Sequence, residues 1–255
     1  MGPVKRRRRP AAHVIGALYS PRTTCISRAA FIWFPGTMID SRVARLNMVE
    51  SQLRTNKVTD EAVLAAFLAV PRERFVPPEL SGIAYIDDNL PLGGGRVLLA
   101  PMVLARLLQL ASVRSEDKVL EIGAATGYAA AILARLAEHV VTLENDGRLA
   151  AVARARLKEL TAGNVTLVEG PLDRGYPAGA PYDVIVVDGA VAAIPDAVAQ
   201  ELAEGGRLVT VVKPEQGMGS GVLMTRIDGR LSQRPAFDAA APLLPGLQPA
   251  PAFVF

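Results

Sequence analysis

Between residues 117 and 213 the chain alternates short apolar runs with stretches of helical spacing, and this alternation constrains its fold more than any other feature. The runs "DKVLEIG", "VVTLEND", "NVTLVEG" and "RLVTVVK" read as strands, and "YDVIVVDGA" is a continuous apolar run of the kind buried on both faces of a sheet. Between them, "YAAAILARLAE", "GRLAAVARARLKELTAG" and "IPDAVAQELAEGG" read as helices. Strands and helices alternating at this spacing predict a mostly parallel sheet with helices on both sides.

The flanks are different. Ile39, Val43, Leu46, Val49 and Leu53 recur at three- and four-residue spacing and predict a helix with that face buried, and Asp60 is placed to cap a second helix through Ala62, Val63, Ala66, Phe67 and Val70. Pro71, Pro77 and Pro78 bound "RERFV" and argue against regular structure there. The turn-rich "AYIDDNLPLGGG" leads to a helix starting near Pro101. Downstream, Asp228–Gly229 marks a hairpin, and Phe253, Val254 and Phe255 suggest an edge strand. The expected organisation is a basic extension over 1–37, a helical segment with a glycine loop over 38–100, and a ligand-binding α/β domain over 101–255.

Charge separates the first of these from the rest. Residues 1–37 carry Lys5, Arg6, Arg7, Arg8, Arg9, Arg22 and Arg28 and no acid, more positive charge than the chain's net +3, so residues 38–255 are net negative. That body offers no reason to expect a nucleic-acid partner, which needs concentrated positive charge. The extension reads as disordered, as a targeting or nucleic-acid-binding arm, or as a segment ordered against the body. A translation start at Met38 or Met48 would remove it. With one cysteine, Cys25, and two distant histidines, His13 and His139, neither an internal disulfide nor a Cys/His metal centre is expected. No apolar stretch reaches membrane-spanning length, so the body is expected to be soluble; a cytoplasmic location and a monomer are further expectations.

The first βα junction carries the candidate site. In "VLEIGAATGYAAAIL", Gly123 follows a strand and Gly127 precedes a helix, and Ala125 stands where a dinucleotide site needs its middle glycine. That argues against NAD or FAD and for a nucleoside ligand lacking a diphosphate. Glu144, at the end of the next strand, can accept both ribose hydroxyls, since a carboxylate presents two oxygens at fixed separation. Glu121 would hold the amino end of a ligand or the loop itself. Together Glu121, Gly123, Gly127 and Glu144 point to S-adenosyl-L-methionine, lying across the carboxyl ends of the strands.

These segments, with "MVESQLRTNKVTD", "VPRERFVP", "AYIDDNLPLGGG" and "GYPAGAPYDVIVV", resemble the protein-L-isoaspartate O-methyltransferase family over roughly residues 46–212. The resemblance implies a Rossmann-like class I methyltransferase fold with a seven-stranded sheet. It also implies S-adenosyl-L-methionine as cofactor and isoaspartyl residues of damaged proteins as substrate; the alternatives are methylation of another small acceptor and a non-catalytic module that binds the cofactor. It places Gly123 and Gly127 in the cofactor loop and makes Glu144 the ribose acid. Asp87 matches an acid in the family's Y-x-D stretch and becomes a catalytic candidate.

The family's Thr-Ile-Ser-Gln-Pro is here Val97-Leu98-Leu99-Ala100-Pro101, so Leu99 replaces the active-site serine. The family's Gly-Asp-Gly, whose aspartate contacts adenine, is Gly170-Pro171-Leu172, leaving the Leu172 N–H as a candidate adenine contact and Asp173 as a substitute acid. Asp188 stands where a threonine is common, facing a substrate or capping the next segment. An ionised carboxylate needs no general base to accept a methyl group, so Leu99 does not by itself end the chemistry. It removes a hydroxyl that could orient an anion. Arg96, beside Gly93, Gly94 and Gly95, could replace that donor or serve only the structure.

Overall fold

Each apolar run becomes a strand because it can be covered on both faces, and the helices between them supply the cover. The computed structural model describes residues 40–247. In chain order, α1 is Ser41–Met48, α2 Glu61–Ala69, β1 Leu90–Gly93, β2 Arg96–Leu98, α3 Pro101–Ala111, β3 Lys118–Ile122, α4 Tyr128–Leu133 and β4 His139–Glu144. Then come α5 Gly147–Glu159, β5 Val165–Glu169, β6 Tyr182–Val191, α6 Asp196–Gln200, β7 Leu202–Val212, β8 Gly219–Ile227 and β9 Arg230–Ala239. The main sheet has seven strands in the order β5-β4-β3-β6-β7-β8-β9. Strands β5 to β7 across that order are parallel, while β8 and β9 run antiparallel and turn at Asp228–Gly229 as expected. The class I methyltransferase fold expected from the sequence is the fold observed. Among the described residues no helix is long and apolar enough to cross a membrane.

The described residues 40–247 fall within one compact unit. Phe67 and Leu99 share a single buried cluster with Val119 and Val184 of the sheet, so the N-terminal helices belong to the same core. The expected features of residues 1–37 and the suggested edge strand at Phe253–Phe255 lie outside the described residues.

Three local expectations change. The predicted apolar face around α1 is buried only at its far end: Val43 is 52% and Leu46 48% exposed, whereas Val49 and Leu53 are buried. A π turn over Val49–Leu53 adds a residue to the turn and shifts the helix phase, so Met48, Val49 and Leu53 are buried. Arg45 reaches inward instead, donating to the Tyr85 hydroxyl at 2.9 Å and the Leu68 carbonyl at 3.1 Å. The segment "RERF" closes as a 3₁₀ turn despite its prolines. Finally, "LAEGG" is strand rather than helix. Tyr182 N donates to Glu201 O and pairs in register with Leu202, so cross-strand pairing claims these residues once the short α6 ends.

The Asp60 cap behaves as the sequence implies, and a second cap is found at Asp146. Asp60 accepts from the N–H groups of Ala62 and Val63 at the start of α2, and Asp146 accepts from Arg148 and Leu149 at the start of α5. The second cap sets α5 against the glycine loop. A Cβ on Gly127 would lie 3.1 Å from Ala153 Cβ, and its φ of +90° is one that L side chains rarely adopt.

Candidate active site

Parallel pairing of β3 with β4 and of β3 with β6 brings the carboxyl ends of these strands side by side, and Glu121, Gly123, Glu144 and Asp188 with them. Main-chain bonds fix the loop after β3: the Gly123 and Ala124 N–H groups donate to Leu143 O at 2.8 and 3.1 Å, and Gly127 N donates to Ala124 O at 2.7 Å. Gly123 has φ +91°. Ala125, at φ +49°, holds an uncommon conformation for a residue with a Cβ, and its N–H donates to Glu144 Oε2 at 2.6 Å.

Glu144 is fully buried and is the hub of the site. Its Oε1 accepts from Asn145 N and Asp146 N, each at 2.9 Å, and from Arg96 Nη1 at 2.6 Å. Three donors thus crowd onto Oε1, while Ala125 N alone reaches Oε2. Arg96 therefore does not lie free at the edge of the glycine loop, where a substrate anion would meet it. Its guanidinium is buried with Glu144 in an ion pair.

Glu121 is equally buried, and the Thr142 hydroxyl donates to its Oε2 at 2.5 Å. Burial, reinforced by the nearby Asp188 charge, pushes its carboxyl well above the usual range. Asp188 is pushed up by burial too, opposed by the charges of Arg96 and Arg72. Glu121 Oε1, Asp188 Oδ1 and Arg96 Nη2 are buried without a hydrogen-bond partner.

On the acceptor side, Leu99 is buried at 1% exposure, and its carbonyl accepts from Arg72 Nη2 at 2.7 Å. Arg72 Nε donates to Ala84 O, also at 2.7 Å, so this buried arginine ties "AYIDD" to the segment after β2. It also sits 4.9 Å from the centre of the Tyr128 ring. Tyr128 packs edge-on against Phe67 and Phe75 and is wholly buried, as a core residue at a helix start. Asp87 Oδ1 accepts from Met102 N at 3.1 Å, in the first turn of α3. Leu172, 1% exposed, opens a short turn after β5, while Asp173 is exposed. Among the described residues no group of three or more His, Cys, Asp or Glu could hold a metal.

Sequence reasoning missed two contributors. Arg72 gives no signal in a chain rich in arginine. The second is the segment after β9. Leu243 pairs with Ala190 in a parallel bridge, Leu244 N donates to Ala190 O at 2.7 Å and Ala190 N to Pro242 O at 3.0 Å. This carries Leu244 onto the glycine loop, where a Cβ on Gly123 would lie 2.9 Å from Leu244 Cδ2 and 3.2 Å from Arg96 Nη2. A proline-spaced apolar tail is the only trace of this in the sequence.

The chain is similar to known proteins over most of its length. The family described as Protein-L-isoaspartate(D-aspartate) O-methyltransferase (PCMT) matches residues 44–237. A Methanoregula boonei protein-L-isoaspartate O-methyltransferase is 46% identical over 168 residues, 66% of this chain and 77% of that protein. The Rhodopseudomonas palustris protein-L-isoaspartate O-methyltransferase 1 is 42% identical over 182 residues, 71% of this chain and 74% of its own. A solved protein-L-isoaspartate O-methyltransferase superposes with a TM-score of 0.70 at 26% identity, covering 80% of this chain and 67% of that one. A Plasmodium falciparum structure, in complex with S-adenosyl-L-homocysteine, shares the fold at TM-score 0.69 and 19% identity, over 79% of this chain and 98% of that one.

Proposed function

This chain belongs to the protein-L-isoaspartate (D-aspartate) O-methyltransferase family, and we propose that it esterifies the side carboxylate of isoaspartyl residues in damaged proteins or peptides. Its cofactor is S-adenosyl-L-methionine. The observation that carries the reading is the meeting of Glu121, Gly123 and Glu144 at the adjoining carboxyl ends of β3 and β4. The donor set suits the cofactor: Glu144 for a ribose, the loop at Gly123 for close approach, and Glu121, with an unpartnered oxygen, for an ammonium group. Leu172 would flank the base.

Bound there, the cofactor supplies an electrophilic methyl group on a sulfonium. An isoaspartyl carboxylate is ionised at pH 7, so the protein's own tasks are to hold that oxygen in line and to exclude water. Arg72 serves positioning, since it fixes the carbonyls of Ala84 and Leu99 on the acceptor side. Asp87 holds the start of α3 beside them. The Leu99 side chain offers no hydrogen bond, which favours a second reading in which the acceptor is a different carboxylate or nucleophile. A cytoplasmic, monomeric enzyme completes the proposal.

The test is transfer of labelled methyl to matched isoaspartyl and aspartyl peptides. Base-labile label on the isoaspartyl peptide alone is the expected result. Cofactor binding with transfer to neither peptide would replace this reading with the second one.

A further inference from the structure

Resting on the cofactor reading above, we propose that Arg96 and the segment Pro242–Leu247 form a built-in competitor that occupies the cofactor crevice and must leave for S-adenosyl-L-methionine to enter. Three contacts coincide with the three places a nucleoside–amino acid ligand would need. Arg96 sits on Glu144, whose Oε1 it shares with the N–H groups of Asn145 and Asp146. Leu244 lies on Gly123 and on Gly189, where an added Cβ would be 3.0 Å from Leu244 Cβ. Gly246 lies against Asn145 and Leu172: a Cβ there would be 2.9 Å from Asn145 Nδ2 and 3.9 Å from Leu172 Cδ1. Leu244 and Leu247 share a buried cluster with Leu172. Between Arg96, Asp188, Gly189 and Leu244 a cavity of only about 10 Å³ is left, too small for any part of the cofactor.

The segment is built to move as well as to fill. Two main-chain hydrogen bonds join it to the end of β6, and Pro242 and Pro245 can donate none. Open clefts flank it, one of about 410 Å³ beside Lys213 and Met218, the other of about 400 Å³ beside Asn145 and Asp146. The closed arrangement also leaves Glu121 Oε1, Asp188 Oδ1 and Arg96 Nη2 buried and unpartnered, a cost that opening relieves.

The experiment is calorimetric binding of S-adenosyl-L-methionine to the full chain, Leu244→Ala and Arg96→Gln, with hydrogen exchange at residues 242–247 of the unmodified protein. A competitor lowers apparent affinity by the fraction of molecules that are open, so each variant should bind roughly tenfold or more tightly than the parent. The cofactor should also speed exchange at the Leu244 amide. Equal affinities with unchanged exchange would overturn the competitor and leave the cofactor reading standing. An absence of binding in all three folded proteins would overturn both. Should either variant fail to fold, exchange in the unmodified protein decides: cofactor binding without faster exchange at Leu244 refutes the proposal.

Discussion

The two walls of the crevice have kept different things. The wall built by β3 and β4 retains the glycine loop and the buried Glu144, both held by main-chain hydrogen bonds, and the buried Glu121, held by the Thr142 hydroxyl. The opposite wall, from Gly93 to Pro101, presents Leu98 and Leu99 to the core and sends Arg96 across to Glu144. Main-chain geometry defines the first wall and side-chain identity the second. A parallel sheet preserves strand ends and loop conformations under many substitutions, because they are set by register and by a few glycines. A hydroxyl on the second wall depends on one residue.

The ion pair that joins the walls is where the comparison breaks most easily. Glu144→Ala would leave the Arg96 guanidinium buried without its partner and three main-chain N–H groups without an acceptor. Removing one partner of a buried pair costs about 3–5 kcal/mol, and urea unfolding should show a loss of that size. A loss below about 1 kcal/mol would mean that Arg96 reaches water and that the walls are not joined in solution.

Leu99→Ser tests the second wall. Truncating a buried leucine costs about 2–5 kcal/mol, so the variant should be less stable than the parent in the same unfolding assay. Its methyl transfer to an isoaspartyl peptide should nonetheless rise, because the variant restores the hydroxyl that the family carries at this position. A stability loss with no gain in transfer would show that the missing serine does not limit this chain.

How much of each wall could be read in advance follows from the same contrast. Glu121, Gly123, Gly127 and Glu144 were legible because strand–loop–helix spacing places them without reference to the rest of the chain. So were the Asp60 cap, the start of α3 and the Asp228–Gly229 turn, all set by local chemistry. The partners of Arg96 were not legible, since Glu144 is 48 residues away and nothing local links the two. Leu244 meets Gly123 across an even longer separation. The exposed Val43 and Leu46 were misread because periodicity assumes a regular helix, and the π turn after Met48 breaks that regularity. The short α6 was misread because pairing with Tyr182 outweighs the helical pattern of "LAEGG".

The buried acids of the first wall predict a pH signature. Burial raises Asp188 to about 7 and Glu121 to about 8, so the folded protein keeps protons that the unfolded chain releases above about pH 4. With folded values above unfolded ones, the stability these groups contribute is fully present below about pH 4 and is lost as pH rises through 7 and 8. One such group gives a slope of about 1.4 kcal/mol per pH unit within that window. Asp188→Asn should flatten the decline in unfolding free energy between pH 5 and pH 7 by about that slope. An unchanged slope would mean that Asp188 is ionised in the folded state.

The smallest effect is expected at an ion pair that belongs to neither wall. Arg54 donates to Glu61 through two nitrogens, at 2.8 and 3.0 Å, a geometry as good as that of Arg96 and Glu144. Its side chains are 39% and 73% exposed, against 3% and 0% for the pair in the crevice. In water the charges are already solvated, and holding two long side chains together costs entropy that offsets most of the attraction. Arg54→Ala should therefore leave the urea midpoint where it is, and added salt should not distinguish the variant from the parent. If Arg54→Ala proved as damaging as Glu144→Ala, burial would not be what makes the crevice pair matter. The difference between the walls would then have to be sought in charge alone.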